Sequence, residues 1–147
     1  MTTFNDTTGR TWTISINVDA IRRVRSLLNV NLLDAVDGKL LEQLVVDPVL
    51  LCDILFALVK PEADAKNVTD EDFGRALGGD ALDHATTALL EGLADFFPSA
   101  KAAVFRQAIE KLRALEKLAL DTAAKRLASG ELEQRMREQL GDPTLGN

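Results

Sequence analysis

The chain has 147 residues, of which 46% are hydrophobic and 27% charged, as is typical of a single soluble globular domain. Its one cysteine excludes an internal disulfide, and its net charge of −6 disfavours nucleic-acid binding, which needs a basic surface. No run of 18 apolar residues is present, and the first ten residues lack the features of a signal peptide. We therefore expect a cytoplasmic protein that has no membrane partner.

The charge is unevenly distributed along the chain. Residues 1–98 carry 8 Lys/Arg and 16 Asp/Glu, a net charge of −8, whereas residues 99–147 carry 9 and 7, a net charge of +2. Either part could complement an oppositely charged protein, although an ordinary solvated surface explains the same residues.

The first 16 residues have the alternation of a β-hairpin. The apolar residues fall at every second position: Trp12, Ile14 and Ile16. We predict strands over residues 3–6 and 11–16, with Gly9 taking a positive φ in the turn between them. An isolated hairpin is marginal in water, so its apolar face must pack on helices or join strands of another subunit. The hairpin also has two edges that can recruit further strands.

From residue 18 onward the apolar residues recur every three or four positions, which predicts amphipathic helices. The predicted helices are 18–28 (capped by Asn17 or Asp19), 39–46, 48–61, 70–77, 80–97, 100–128 and 131–140. The helix that begins at Asp47-Pro48 is apolar around much of its circumference, so we expect it to be the central core helix. We expect Pro61 to end this helix and residues 61–68 to form a polar loop.

The longest predicted helix begins after Ser99 and spans roughly 42 Å if it runs to residue 128. Its second half is charged and alanine-rich, so residues 99–140 either project from the helical body 18–98 or pack against a partner. The predicted architecture is therefore mainly α: a hairpin over 3–16, then a bundle of about five to six helices with a long C-terminal helix. We assign residues 1–140 to one domain and residues 141–147 to a disordered tail.

Residues that could carry chemistry are few. His84 is the only histidine, Cys52 follows two leucines in an apolar helix, and the acidic cluster 70–72 lies at a predicted helix start. A metal site needs three or four ligands, a reactive thiolate needs an electropositive setting, and acids at a helix start complement its dipole. Each of these residues therefore has a structural explanation, and we predict no catalytic, cofactor or metal site.

Two adjacent aromatic residues, Phe96 and Phe97, precede Pro98. On a helix they point about 100° apart. Either both are buried where two helices turn, or one lies off the core face and offers a partner site.

A series of short strings runs through residues 3–98 in a fixed order. They are the Gly9-Arg10 turn, Trp12-Thr13-Ile14-Ser15-Ile16, a helix with Ile21 and Val24, the Asn-Val-Asn-Leu-Leu break at 29–33, the Asp47-Pro48 helix start, Val-Thr-Asp-Glu-Asp-Phe at 68–73, and the helix 80–97. In this order they resemble the tail assembly chaperones of long-tailed bacteriophages and prophages. The long helix after Ser99 lies beyond the part that resembles this family.

The resemblance implies a non-enzymatic protein of the host bacterial cytoplasm that binds the helical tape-measure protein, keeps it soluble and helps to recruit tail-tube subunits. Such proteins are absent from the finished virion, and many are made in two lengths by a ribosomal frameshift. They need no cofactor, nucleic acid or membrane. A homo-oligomer formed through the hairpin edge is compatible with this mode of action.

Apolar helix faces would cover the apolar stripes of a helical client. We therefore expect client or subunit contacts at five residues: Trp12, Phe97, Phe105, Leu112 and Leu115. The alternatives are a structural tail or connector component that is retained in the virion, and a small enzyme or regulatory protein that uses His84, Cys52 or the acidic cluster.

Overall fold

The computed structural model describes residues 1–141. Strands β1 (Thr2–Asn5) and β2 (Thr11–Ile14) form an antiparallel hairpin, with Phe4 paired to Trp12. The helices that follow are α1 (Val18–Leu28), the 3₁₀-helix η1 (Leu32–Asp37), α2 (Lys39–Val46), α3 (Pro48–Ala65), α4 (Asp70–Arg75), α5 (Gly79–Phe96), α6 (Ser99–Ala128) and α7 (Glu131–Leu140). The predicted fold class, mainly α with an N-terminal hairpin and a long C-terminal helix, is confirmed. Within the described residues the helices outnumber the expected five to six, partly because η1 occupies a segment expected to be a break.

The chain divides into two compact units, Met1–Ala108 and Ile109–Asn147. Every buried hydrophobic residue of the described chain lies in the first unit, and the last of them is Phe105. The second unit holds the part of α6 from Ile109 onward and all of α7. Its described residues are exposed or half-buried. Of the tail predicted to be disordered, residues 142–147 lie outside the described part of the chain.

Three of the predicted helix starts have side-chain caps. Asn17, rather than Asp19, caps α1 by accepting a hydrogen bond from the backbone N–H of Ala20 at 2.8 Å. Asp47 accepts from the first turn of α3, and Thr69 accepts from the first turn of α4. These side chains satisfy backbone donors that a helix leaves without partners at its N-terminus.

The apolar face of the hairpin packs on helices of the same chain. Trp12 and Ile14 are completely buried, as is Phe73 of α4. The Phe73 ring contacts that of Trp12 edge-on at a centroid distance of 5.2 Å and that of Phe4 at 6.5 Å. At the open end of the hairpin, Ile14 lies against Gly92 of α5, where a Cβ would approach its side chain to 3.2 Å. Of the two expected arrangements of the hairpin, packing on helices or joining strands of another subunit, the structure therefore has the first.

A buried carboxylate, that of Asp6, organises the hairpin turn. One oxygen accepts from the backbone N–H groups of Thr8 and Arg10, at 2.9 and 3.0 Å, and from the Thr8 hydroxyl at 2.7 Å. The other accepts from Trp12 Nε1 at 3.0 Å and from the Arg10 guanidinium at 3.3 Å. Burial raises the pKa of Asp6, but these hydrogen bonds outweigh it and the net pKa lies below the ordinary value of 3.8.

Helix α3 does not end at Pro61, so that prediction was wrong. The helix continues to Ala65, with Pro61 inside it. Pro61 has no N–H to donate to the carbonyl of Ala57, four residues earlier. The Arg23 guanidinium of α1 donates to that carbonyl at 3.1 Å and to the carbonyl of Leu58 at 3.1 Å. Arg23 thus replaces the missing helix donor, which explains why the helix passes through the proline.

The last turn of α3 closes the outer edge of β2. Glu62 Oε1 accepts from the backbone N–H of Thr13 at 3.0 Å, and Lys66 Nζ donates to the carbonyl of Thr11 at 2.8 Å. The two side chains also pair with each other at 2.9 Å, and Lys66 Nζ lies 4.7 Å from the centroid of the Trp12 ring. Because the helix continues past Pro61, the β2 edge has side-chain partners in place of a further strand.

We predict that Asp6→Asn lowers the free energy of unfolding by about 2–3 kcal/mol, because one acceptor oxygen becomes an N–H₂ group facing buried donors. Chemical denaturation measures this change, and Asp34→Asn, which alters an exposed carboxylate, is the control. Since the pKa of Asp6 is lowered in the folded state, its contribution is present above pH 3.8 and is lost as the pH falls below that value. Asp6→Asn should therefore flatten the acid limb of the stability curve. An unchanged acid limb would contradict this account.

We predict that Arg23→Ala costs about 1–3 kcal/mol, because the Ala57 carbonyl loses its donor. Arg22→Ala, at a side chain that is 73% exposed, is the matched control and should change stability by less than about 0.5 kcal/mol. Adding Pro61→Ala to Arg23→Ala supplies the missing N–H and should recover most of the loss in a double-mutant cycle. If Pro61→Ala gave no recovery, the replacement role of Arg23 would be refuted.

Candidate partner-binding groove

The five residues expected to contact a partner lie in different environments. Trp12 and Phe105 are completely buried and Phe97 is 6% exposed, so all three belong to the core. The Phe97 ring packs edge-on against that of Phe105 at 5.4 Å. Leu112 is half-buried and Leu115 is 63% exposed. Among the five, surface for a partner is therefore found at Leu112 and Leu115.

The aromatic pair before Pro98 divides between core and surface. Phe97 is buried, whereas Phe96 is half-exposed and lies 5.9 Å from it, centroid to centroid. Phe96 and Phe97 line a small, mostly apolar pocket of about 230 Å³ together with Leu33, Val36, Pro98 and Lys101. The alternative in which one ring lies off the core face is thus the one observed.

A larger apolar groove lies in the second unit and has a volume of about 600 Å³. We call it the leucine groove. Its lining residues are Leu115, Leu118, Ala119, Thr122, Ala123, Arg126, Leu127, Glu131, Leu132 and Arg135. The seven residues from α6 form adjacent rows in which members stand three or four residues apart, so they share one face of the helix. Its four leucines are all strongly exposed.

The turn between α6 and α7 gives the groove its shape. Gly130 has φ 76° and stands at the N-terminus of α7, a left-handed conformation that glycine adopts without steric cost. The break lets α7 leave the axis of α6, so that Leu132 and Arg135 line the groove together with residues of α6. Glu131 pairs with Arg135 at 3.0 Å and lies 4.0 Å from Arg126.

This arrangement is suited to binding an apolar partner. Burying an exposed leucine side chain contributes roughly 1.5–3 kcal/mol, so four of them offer a substantial driving force before the costs of association. The neighbouring small residues Ala119 and Ala123 allow a partner backbone to approach closely. An amphipathic helix that lays its apolar stripe along the groove is the partner such a surface recognises.

From the sequence we predicted contacts at Leu112 and Leu115 of the long helix, but not at the groove leucines Leu118, Leu127 and Leu132. Leu132 belongs to a helix that joins the groove only because of the turn at Gly130. The available signal was the recurrence of leucine, alanine and threonine at three- and four-residue spacing from Leu115 to Leu127.

The residues considered for chemistry are not assembled into a reactive centre. His84 is exposed, and no hydrogen bond or ion pair reaches it from the described residues. Cys52 is half-buried; burial, together with the negative charges of Asp53 and Asp70, raises the pKa of its thiol, so it stays protonated at neutral pH. Within residues 1–141 no group of three His, Cys, Asp or Glu side chains could hold a metal ion.

The acidic cluster 70–72 forms the first turn of α4. Thr69 accepts from the backbone N–H of Asp72 at 3.1 Å. Glu71 and Asp72 pair with Arg75 at 3.7 and 3.3 Å. These contacts give the cluster the structural role of acids at a helix start.

Comparison of the chain with models of protein families, with curated proteins and with solved structures yields no match. In the part of the chain that the structure describes, no helix is long and apolar enough to cross a membrane.

We predict that the double variant Leu115→Gln and Leu118→Gln retains the thermal stability of the protein within about 0.5 kcal/mol, because both side chains are exposed. The same variant should lose most of the fluorescence of a bound apolar dye such as anilinonaphthalene sulfonate. Leu120→Gln, at a residue that is 71% exposed but outside the groove, is the control and should keep that fluorescence. Equal losses in both variants would show that the dye does not report on the groove.

Proposed function

We propose that this protein is a non-enzymatic tail assembly chaperone, which binds the helical tape-measure protein, keeps it soluble and promotes tail-tube assembly in the host bacterial cytoplasm. The observation that carries this proposal is the leucine groove in a unit whose described residues contribute nothing to the core. The resemblance of residues 3–98 to tail assembly chaperones supplies the identity of the client.

A long helical client has an apolar stripe that must be covered before assembly. The leucine groove offers a complementary stripe, with Leu115 and Leu118 on α6 and Leu132 on α7. Large exposed apolar patches on a protein surface mark interaction sites. The leucines of the groove are available to the client, since all four are exposed.

The charged end of the groove favours a defined orientation of the client. Arg126 and Arg135 flank Glu131, so this end has a net charge of +1. An acidic side chain beside the apolar stripe of the client would pair with one of the arginines. Charge pairs at the rim of an interface contribute mainly to orientation and association rate.

The chemistry needed for this function is limited to non-covalent contact. Cys52 is a protonated thiol beside two carboxylates, and the acidic cluster 70–72 is engaged with Arg75 and the start of α4. These observations support a binding role over catalysis. Release of the client to tail-tube subunits then requires only competition for the same apolar surface.

The test is coexpression of this chain with the tape-measure protein of its own gene cluster, followed by measurement of the soluble tape-measure protein. We expect the wild-type chain and Leu120→Gln to keep the client soluble and to copurify with it. The double variant Leu115→Gln and Leu118→Gln should capture about tenfold less client than the wild-type chain, as expected when central apolar anchors are removed.

Failure of the wild-type chain to solubilise or capture the client would refute the proposed function. Recovery of this chain in purified virions would favour the alternative of a retained tail or connector component. Capture that is insensitive to the groove variants would preserve the chaperone function and exclude the leucine groove as its site.

A further inference from the structure

The two edges of the hairpin differ in how their backbone groups are satisfied. Along a strand of an antiparallel pair, the backbone N–H and C=O groups of one residue point toward the partner strand, and those of the next residue point outward. The hydrogen bond from the Asp6 N–H to the Arg10 carbonyl, at 2.9 Å, sets this alternation. Thr3 and Asn5 therefore direct their N–H and C=O groups outward on β1, as Thr11 and Thr13 do on β2.

The β1 edge is open where the β2 edge is closed. Glu62 and Lys66 bond the outward groups of β2, but among the described residues none bonds the outward backbone groups of Thr3 or Asn5. Both residues are exposed. Residues 2–5 include no proline, lysine or other charged residue of the kind that protects an edge against strand addition.

Helix α5 lies alongside β1. The Thr2 hydroxyl donates to the carbonyl of Ala88 at 2.6 Å, and Gly92 lies against the side chains of Thr2 and Ile14. At the other end, the Thr7 N–H donates to the carbonyl of Ala76, just before α5 begins. Helix α5 therefore runs alongside the four residues of β1, a length of about 13 Å.

The side of α5 that carries Ala88 has an exposed strip with two acids and a histidine. Asp80 precedes Ala88 by eight residues and His84 precedes it by four, whereas Glu91 follows it by three. At these spacings the three residues lie on the same side of the helix as Ala88. All three are exposed. Helix α5 has four acidic residues and no Lys or Arg. One of the four, Asp95, pairs with Arg106 at 3.0 Å. Within the described residues no ion pair reaches the other three, Asp80, Asp83 and Glu91.

We propose that the β1 edge binds a basic, extended segment of a partner protein as a third strand of the hairpin sheet. The outward groups of Thr3 and Asn5 provide up to four backbone hydrogen bonds, as in other cases of strand addition. Lys or Arg at every second position of the segment then faces α5 and pairs with Asp80 and Glu91. A segment of about five or six residues spans the site.

Charge decides between this partner and a second copy of the chain. Pairing of two β1 edges would bring two α5 helices, each with unpaired acids, next to each other, and juxtaposed like charges oppose binding. A basic segment converts the same acids into favourable contacts. The surface is carried by residues other than those of the leucine groove and does not depend on the proposed chaperone function.

The test uses the full chain and an acetylated seven-residue peptide of alternating lysine and valine, with a glutamate–valine peptide as the control probe. We expect the lysine peptide to slow hydrogen exchange at the amides of Thr3 and Asn5, measured by NMR, while the glutamate peptide does not. The double variant Asp80→Lys and Glu91→Lys should bind the lysine peptide with an affinity lower by about tenfold or more, consistent with the loss of two charge pairs.

The double variant Asp34→Lys and Glu42→Lys makes the same change of net charge at exposed residues outside α5 and should bind like the wild type. Unprotected Thr3 and Asn5 amides at saturating peptide, or equal weakening by both double variants, would overturn the proposal. Protection of these amides that grows with protein concentration in the absence of peptide would also overturn it, because a second copy would then occupy the edge.

Discussion

The buried carboxylate of Asp6 is the contact on which the placement of the hairpin depends. It accepts hydrogen bonds from backbone N–H groups of the turn and from the indole N–H of Trp12. The carboxylate therefore links the turn to Trp12, whose ring packs against Phe73. An ionised group in a buried position is tolerated only where donors surround it, and here both oxygens are satisfied. A short hairpin that would be marginal alone thereby becomes a fixed layer on α3, α4 and α5.

A second constraint follows from Pro61. Because Arg23 supplies the donor that the proline lacks, α3 extends far enough to place Glu62 and Lys66 beside β2. The residues of α3 that follow Pro61 thus supply the contacts that cover the β2 edge. The asymmetry of the two edges is a consequence of helix length rather than of the strands, whose outward residues are similar uncharged polar side chains.

Periodicity and capping residues predicted most elements, because their signals are local. The hairpin, α2 and the caps at Asn17 and Asp47 were all read from spacing and side-chain type. The continuation of α3 past Pro61 was not predictable, since its cause is an arginine 38 positions earlier in the chain. For the same reason the burial of Phe105 and the contribution of Leu132 to the groove escaped sequence reasoning: both depend on neighbours that only folding brings together.

The core of the described chain ends at Phe105, and four exposed leucines beyond it line a groove that suits the binding of a helical partner. The most direct measurement is hydrogen–deuterium exchange of the purified chain, free and in the presence of the proposed client, the tape-measure protein. The account predicts slower exchange over residues 112–140 on binding. Protection confined to residues 1–108, with residues 112–140 exchanging as in the free protein, would contradict it.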